Sequence, residues 1–292
     1  MVPMIVLDGG MSRELIALGA PFEQPEWSAL SLIEAPHFVR QVHDRFVAAG
    51  ADVITTNAYA LVPFHLGEER FRRDGRRLAD LAGRLTREAA DTAGRKVRVA
   101  ASVPPLFGSY EPDKFDPAGA RELWPDVIDP QAPHADLFLA ETISCIDESL
   151  TALELCAKHG KPVWLSCTLD DAVPVLRSGE TIGDWLPQVN AHPQAAAVEA
   201  VLFNCSQPEV MEAAVRQAAD LAGNWDIGVY ANAFIQKTDE TAANEGISDI
   251  RRELTPDLYA DFARAWKAAG AGIIGGCCGI GAEHIARLKA LL

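Results

Sequence analysis

Eight short runs of apolar or β-branched residues are spread along the chain, and longer segments with helical periodicity separate them. Alternation of this kind is typical of parallel βα units. The length of 292 residues would allow two ordinary domains, but eight units of about 36 residues each suit a strand, a helix and two loops. We therefore predict an α/β protein, a (β/α)8 TIM barrel that forms a single domain over residues 1–292. The predicted strands span residues 5–7, 53–55, 97–101, 137–140, 163–166, 201–203, 227–230 and 272–274.

The charge balance limits the partners that such a barrel would bind. Lys and Arg number 26 against 41 Asp and Glu, so the formal net charge is −15. Nucleic acids and anionic membranes are bound through clustered basic residues, so neither is expected as a partner, whereas small-molecule substrates are.

No apolar run approaches the roughly 18 residues of a membrane span, and the N-terminus lacks the features of a signal peptide. Six cysteines are too few for a disulfide scaffold, so a reducing, cytoplasmic location is expected. The oligomeric state stays unknown at this point.

The residues that carry chemistry fall directly after the predicted strands. In a TIM barrel the carboxyl ends of all strands meet on one face, where the active site lies. Two long segments rich in glycine, proline and polar residues, 104–117 and 232–255, also follow strands and are expected to form loops over that face. The residues concerned are Asp8 after the first strand, residues 56–59 after the second, Glu141 after the fourth, Asn204 and Cys205 after the sixth, Asn232 after the seventh, and residues 275–279 after the eighth.

Three cysteines are placed so that they would meet on the catalytic face. Cys205 follows the sixth predicted strand, and the adjacent pair Cys277 and Cys278 follows the eighth, which is a close neighbour around a barrel. Adjacent cysteines close only a strained disulfide, so metal binding is the more favourable use of the pair. Three protein ligands with one open position are the arrangement of a catalytic zinc site, because a structural site is closed by four. The alternative is that Cys205 is a small core residue and that Cys277 and Cys278 are adjacent by chance, with no role in metal binding.

Several segments carry a resemblance to a known family. They are Asp8-Gly9-Gly10 with Glu14-Leu15, residues 50–59 and 104–110, Glu141-Thr142-Ile143, Asn204-Cys205, and Gly275-Gly276-Cys277-Cys278-Gly279 with Glu283-His284-Ile285. With these segments the chain resembles the homocysteine S-methyltransferase family over nearly its whole length. The resemblance implies a (β/α)8 barrel whose three cysteines hold Zn²⁺, and a homocysteine whose sulfur takes the fourth position on the metal.

The resemblance assigns the metal ligands and the carboxylates of the site. Cys205, Cys277 and Cys278 match the zinc ligands of the family. Asp8 and Glu141 match the carboxylates that hold the ammonium group of homocysteine. These assignments imply a substrate that is an amino acid with a thiol or a closely related group.

Other positions are assigned in the same way. The backbone amides of Gly9 and Gly10 would approach the substrate carboxylate, and Tyr59 matches a tyrosine near the metal and the methyl donor. Asn232 is assigned to the substrate site.

The chain departs from the family after the seventh strand. Phe234 stands there at a position where family members tend to have a less bulky residue, so it would narrow the donor pocket. His284 follows the cysteine pair and is predicted to cap or pack rather than to bind zinc.

The chemistry of thiol methylation accounts for these residue types. A thiol is mostly protonated at neutral pH, whereas its thiolate is the nucleophile, and coordination to zinc removes the proton. The methyl donor must be activated, and a sulfonium or a quaternary ammonium leaves as a neutral product. We predict S-methylmethionine ahead of S-adenosylmethionine as donor, with betaine as an alternative. Aromatic faces bind such cations, and the aromatic residues considered for this role are Trp27, Tyr59, Phe107, Tyr110 and Phe234, with core packing preferred for all except Tyr59.

Other functions stay open on the sequence alone. A zinc hydrolase on the same barrel would use a bound hydroxide, but ligation by sulfur alone argues against it, because hydrolytic zinc usually has histidine or carboxylate ligands. A sensor that binds a thiol or zinc would need the same cysteines without turnover. The acceptor is also open, because a selenol such as selenohomocysteine or selenocysteine would bind zinc in the same manner.

Overall fold

Eight parallel strands form the centre of the molecule, which the computed structural model describes over residues 4–235 and 249–292. The strands are β1 (Ile5–Val6), β2 (Val53–Thr55), β3 (Arg98–Val103), β4 (Leu137–Ile143), β5 (Val163–Cys167), β6 (Val198–Asn204), β7 (Asp226–Tyr230) and β8 (Ile273–Ile274). Each pairs in parallel with its neighbours in the order β1-β8-β7-β6-β5-β4-β3-β2. A parallel bridge between Leu7 and Val53 joins β1 to β2 and closes the ring. The fold is therefore the predicted (β/α)8 TIM barrel, a single domain.

Helices connect the strands and surround the ring. They are α1 (Met11–Ala17), α2 (Ser28–Glu34), α3 (Pro36–Ala49), α4 (Pro63–Leu66), α5 (Glu68–Asp91), α6 (Pro117–Leu123), α7 (Pro125–Gln131), α8 (Ile146–Ala157), α9 (Ile182–Ala191), α10 (Pro208–Ala219), α11 (Pro256–Ala269) and α12 (Ala282–Leu291). Two short 3₁₀ helices, Pro112–Lys114 and Ala195–Ala197, lie in the loops. None of the helices in the described ranges is long and apolar enough to cross a membrane.

Alternation along the strands builds two apolar cores. Successive strand residues point to opposite faces of the sheet, so Leu137 and Leu139 join one buried cluster while Phe138 and Ala140 join the other. The smaller cluster fills the barrel, and the larger one packs the outside of the sheet against the helices. The members of the smaller cluster are Leu7, Val53, Ala100, Leu137, Leu139, Trp164, Ala200, Leu202, Tyr230 and Ile273.

All eight predicted strands are present, and the main difference lies in their lengths. β4 was expected to end at residue 140 but continues to Ile143, and β6 was expected to end at residue 203 but includes Asn204. The prediction ended each strand at its first polar residue. In the barrel these polar residues stay in the sheet because each has hydrogen-bond partners there. Asn204 bonds to the backbone N–H and the hydroxyl of Thr142, and Glu141 accepts from the Ser102 hydroxyl.

Candidate active site

A cavity of about 920 Å³ opens at the carboxyl ends of the strands. Most of the residues that sequence reasoning singled out line it, and the loop after β3 contributes residues 109–114 to its wall. Phe107 does not line it, whereas Trp27, Tyr59, Tyr110 and Phe234 do. The second expected loop, 232–255, is described only in part, and its residues 236–248 lie outside the described residues. The cavity therefore lies at the end of the barrel where the sequence predicts the site.

Three cysteine sulfurs meet in this cavity. The Sγ atoms of Cys205, Cys277 and Cys278 all lie within 4.8 Å of one another, and the Cys205 and Cys278 sulfurs are 3.9 Å apart. In the described part of the chain this is the one group of three or more metal-ligating side chains. The arrangement is therefore suited to a single metal ion bound through sulfur.

Cys205 is held by the asparagine that precedes it. The Oδ1 atom of Asn204 accepts hydrogen bonds from the Thr142 backbone N–H at 2.9 Å and from the Ser166 hydroxyl at 2.8 Å, and its Nδ2 donates to Thr142 Oγ1 at 2.9 Å. This fully buried amide ties the ends of β4, β5 and β6 together. Cys205 itself has a φ of 52°, a strained value for a residue with a side chain. The Asn-Cys motif thus fixes the backbone that directs the sulfur into the cavity.

Glycines let the second and third cysteines approach from β8. A Cβ on Gly276 would lie 2.1 Å from Ile280 Cγ2, and Gly279 has a φ of 84°. Backbone hydrogen bonds then fix the segment: the Cys277 N–H donates to the Ala231 carbonyl at 2.9 Å, and the Cys278 carbonyl accepts from the N–H of residue 233 at 2.8 Å. The sharp turn needed to present two adjacent sulfurs to one point is therefore available only with these glycines.

Hydrogen bonds favour a thiolate at the centre of the cluster. Hydrogen bonds with Cys277 and Cys278, and a further one from the Tyr110 hydroxyl, hold the pKa of the Cys205 thiol well below its usual value. The Tyr110 Oη to Cys205 Sγ distance is 2.8 Å. The pKa values of Cys277 and Cys278 are raised well above their usual value, chiefly by their hydrogen bonds with Cys205. A group of thiols that already stabilises negative charge on sulfur is a suitable ligand set for a cation.

The carboxyl groups of Asp8 and Glu141 lie in the cavity and have no cationic partner among the described residues. Asp8 accepts from the Thr55 N–H at 2.7 Å and the Thr55 hydroxyl at 3.0 Å, and Glu141 accepts from the Ser102 hydroxyl at 2.5 Å. Burial raises the pKa of Asp8 to about 8 and that of Glu141 to about 7. Buried charges are normally paired, so this pair of carboxyls is suited to a cation that arrives with a ligand.

The amides at the start of α1 differ in what they are able to bind. The Gly10 N–H donates to the Ile280 carbonyl at 2.8 Å. This amide is therefore already occupied, and the expectation that it contacts a substrate carboxylate is wrong. Gly10 is needed for close packing instead, because a Cβ there would lie 2.5 Å from the Cys277 carbonyl oxygen. Gly9 also lines the cavity, and its amide stays a prediction.

Tyr59 and Asn232 lie beside the cysteines. The Tyr59 hydroxyl is 2.6 Å from Ser109 Oγ, and burial, with the nearby Cys205 charge, raises the pKa of Tyr59 well above its usual value. A tyrosine that keeps its proton acts as a hydrogen-bond donor and an aromatic wall, not as a base. Asn232 is buried in the lining, and a side-chain hydrogen bond from it contributes to the lowered pKa of Cys205.

Sequence reasoning did not identify every residue that shapes the cavity. Arg177, on the loop after β5, and Tyr230, at the end of β7, line it without having been assigned a role there. In the described residues the non-glycine positions with positive φ are Trp27, Tyr110, Thr142 and Cys205, and all four line the cavity. Strained backbone concentrated at one place is typical of functional sites, but no sequence signal marks such residues. His284 accepts from the Gly281 N–H and lies 3.0 Å from the Leu254 carbonyl, as its predicted capping and packing role requires.

Comparison with known proteins identifies the family. A family model described as homocysteine S-methyltransferase matches residues 5–292. The chain belongs to the homocysteine S-methyltransferase family. A homocysteine S-methyltransferase of Escherichia coli K12 is 30% identical, with 98% of this chain and 94% of that protein covered. The protein YbgG of Bacillus subtilis 168, also a homocysteine S-methyltransferase, is 28% identical over 99% of this chain and 94% of its own.

Solved structures of the homocysteine S-methyltransferase family have the same fold. The metallated form of the homocysteine methyltransferase MmuM from E. coli superposes with a TM-score of 0.80 at 27% identity, covering 98% of this chain and 96% of that one. Its apo form gives a TM-score of 0.71 at 28% identity, with 99% and 96% covered. This chain is therefore a methyltransferase of that family, and its cysteine cluster is able to bind a metal ion.

Proposed function

We propose that this methyltransferase transfers a methyl group from a sulfonium compound to the thiol of homocysteine, giving methionine, with Zn²⁺ bound by Cys205, Cys277 and Cys278. One observation carries the proposal: three cysteine sulfurs share a single cavity with the carboxyls of Asp8 and Glu141, which have no cationic partner among the described residues. Sulfur ligands suit a thiophilic metal, and the carboxyls of Asp8 and Glu141 suit an ammonium group. A small amino acid with a thiol presents both groups together.

The ligand set fits zinc better than the alternatives. Thiolates select zinc over hard cations such as Mg²⁺ or Ca²⁺, which prefer oxygen. Three protein ligands leave one position for a substrate sulfur. When bound, zinc displaces the proton of a ligand thiol and keeps the sulfur nucleophilic. Because all six cysteines are free, we also propose a reducing compartment, the cytoplasm, as the place of action.

The remaining residues of the site bind and orient. Asp8 and Glu141 hold the ammonium of homocysteine, and the Gly9 amide approaches its carboxylate. Tyr59 keeps its proton and does not act as a base. Its ring contacts the positively charged methyl donor. Asn232 fixes Cys205 and closes the substrate side of the cavity. Together these contacts would place the thiol and the donor methyl in line, at a separation of about 3–3.5 Å.

The bond changes favour a donor with a positively charged sulfur. The S–CH₃ bond of the donor breaks, an S–CH₃ bond forms on homocysteine, and the thiol proton leaves to solvent. With S-methylmethionine the leaving group is neutral methionine. The cavity of about 920 Å³ lies within the usual size range of small-molecule pockets, so size alone does not separate this donor from S-adenosylmethionine. The proposal of S-methylmethionine as first choice rests on the resemblance of residues 55–59 and 104–110 to family members that use it.

A donor screen tests the proposed function. Zinc-loaded protein is given homocysteine with a deuterated carbon chain, together with S-methylmethionine, S-adenosylmethionine or betaine, and methionine that carries this label is measured by mass spectrometry. We expect labelled methionine with a sulfonium, most with S-methylmethionine. Turnover with betaine and with neither sulfonium would contradict the donor assignment. Binding of zinc and homocysteine without consumption of any donor would instead indicate a sensor. Selenohomocysteine and selenocysteine in place of homocysteine test the breadth of the acceptor site.

A further inference from the structure

The guanidinium of Arg177 lies in the wall of the cavity, and some of its hydrogen-bond donors have no partner among the described residues. It lies on the loop between β5 and α9 and lines the same cavity as the three cysteines. Its side chain is only 23% exposed. Its Nη2 donates to Asp171 Oδ1 at 3.0 Å, while its Nε is buried and has no hydrogen-bond partner among the described residues. A guanidinium has five N–H donors, so Arg177 retains donors for a ligand.

The position of this guanidinium relative to the cysteines is fixed by Tyr110. The Cζ atom of Arg177 lies 5.2 Å from the centroid of the Tyr110 ring, and the hydroxyl of the same ring donates to Cys205 Sγ. Asp171 is itself anchored, because its Oδ1 also accepts from the Gln207 N–H at 3.3 Å. One tyrosine side chain therefore separates the cation from the sulfur cluster, and both ends of that tyrosine are held.

The chemistry of guanidinium indicates what this group would bind. Arginine pairs with carboxylates through two parallel hydrogen bonds. We propose that Arg177 binds the carboxylate of the methyl donor, which makes the donor an amino-acid sulfonium. This inference rests on the proposed function, in which Asp8 and Glu141 already serve the acceptor. Betaine carries its carboxylate one carbon away from the methylated nitrogen, whereas S-methylmethionine has three carbons between its carboxylate and its sulfonium. A donor held by Arg177 through its carboxylate would therefore extend its methyl group farther toward the sulfurs if it is S-methylmethionine.

Paired donors and a matched variant test the assignment. Zinc-loaded wild type and Arg177→Gln are compared with S-methylmethionine and with its amide, which keeps the sulfonium and the ammonium but lacks the carboxylate. We expect Arg177→Gln to weaken the binding of S-methylmethionine about 30-fold or more, measured as KM and by calorimetry. The binding of the amide, the zinc content and the KM of homocysteine should stay unchanged. Arg177→Lys restores part of the loss, since lysine keeps the charge without the planar pair of donors.

Lys114→Gln is the control variant. Lys114 lines the same cavity but forms an ion pair with Glu111 at 2.7 Å, so its replacement should leave the preference for S-methylmethionine over the amide unchanged. An equal loss for both donors in Arg177→Gln would overturn the inference in favour of a structural role for the loop. A loss confined to homocysteine would overturn it in favour of acceptor binding. If wild type failed to transfer methyl groups, the proposed function would fail, while the calorimetric comparison would still decide the role of Arg177.

Discussion

At the scale of single residues, the site holds groups whose burial is unfavourable until a ligand arrives. Asp8 is almost fully buried, and neither it nor Glu141 has a cationic partner among the described residues. An uncompensated carboxylate in such a place destabilises the folded protein unless it takes up a proton. The raised pKa values, about 8 for Asp8 and about 7 for Glu141, reflect this cost. Substrate binding would offset it by supplying the ammonium group.

Amide substitutions at these positions should therefore separate stability from binding. We expect Asp8→Asn and Glu141→Gln each to raise the free energy of unfolding of the ligand-free protein at pH 8 by about 1 kcal/mol, or a few degrees in Tm. Each substitution should lower the affinity for homocysteine by about thirty-fold or more, because the ammonium group loses a charged partner. Thermal unfolding and calorimetry measure the two effects. A variant that is destabilised while homocysteine binds normally would contradict the assigned role.

The same carboxyls predict how stability depends on pH. A carboxyl whose pKa is raised in the folded state binds more protons there than in the unfolded chain, so the free energy of unfolding falls as pH rises. For Asp8 the window runs from its ordinary value of 3.8 to about 8, and for Glu141 from 4.5 to about 7. Urea unfolding of the ligand-free protein between pH 5 and 8 should show this decline, and the double variant Asp8→Asn, Glu141→Gln should flatten it. An equally steep decline in the double variant would assign the pH dependence to other groups.

Tyr110 offers a test of how the metal ligands are supported. Its hydroxyl donates to Cys205 Sγ, and hydrogen bonds to a metal ligand commonly change metal affinity by about 10–100-fold. We expect Tyr110→Phe to lose zinc to a competing chelator about tenfold more readily, with the fold unchanged because the ring remains. Tyr59→Phe is the control, since the hydroxyl of Tyr59 bonds Ser109 and not a cysteine. Equal zinc retention in both variants would show that the Tyr110 bond has no such role.

At the scale of elements, the turn after β8 decides whether two adjacent cysteines reach one point. Gly276 packs where a Cβ would overlap Ile280, and Gly275 packs where a Cβ would lie 2.6 Å from Leu7 Cβ. The Tyr259 hydroxyl fixes the same turn by donating to the Gly275 carbonyl at 2.7 Å. The turn is therefore determined by packing against Leu7, directly after β1, and against α11, as well as by its own sequence.

A single methyl group should be enough to disturb this turn. Gly276→Ala must shift Ile280 or the backbone of the cysteine segment, so we expect loss of zinc together with about 1–3 kcal/mol of stability. Gly183→Ala, near the start of α9, is the matched control, because the new Cβ would meet only Thr181 Oγ1 at 3.5 Å and alanine favours a helix. Metal analysis and thermal unfolding of both variants check this. Full zinc occupancy in Gly276→Ala would show that the turn tolerates displacement.

At the scale of the whole molecule, ring closure brings together residues that are far apart in sequence. β6 and β8 flank β7 in the sheet, which places Cys205 beside Cys277 and Cys278. The sequence was sufficient to predict this because the strands have clear apolar patterns and the cysteines directly follow them. The barrel, the face of the site and the three-sulfur cluster could all be predicted on that basis.

The rest of the site depends on loop conformations that periodicity does not encode. Arg177 lies in a stretch of ordinary loop composition, and its place beside Tyr110 follows from the path of the loop after β5. The Gly10 N–H donates to the carbonyl of Ile280, which is distant in sequence, so the sequence could not show that this amide is already hydrogen-bonded. Asn204 was noted as part of a motif, but its function as a link between three strands requires the geometry of all three.

X-ray absorption at the zinc edge tests the central claim most directly. For the zinc-loaded protein we predict one zinc per chain with three sulfur neighbours at about 2.3 Å, and a fourth sulfur neighbour after homocysteine is added. Replacing Cys205, Cys277 and Cys278 with alanine together should abolish binding while the barrel stays folded. Zinc surrounded mainly by nitrogen or oxygen, or full zinc occupancy in the triple variant, would contradict the account.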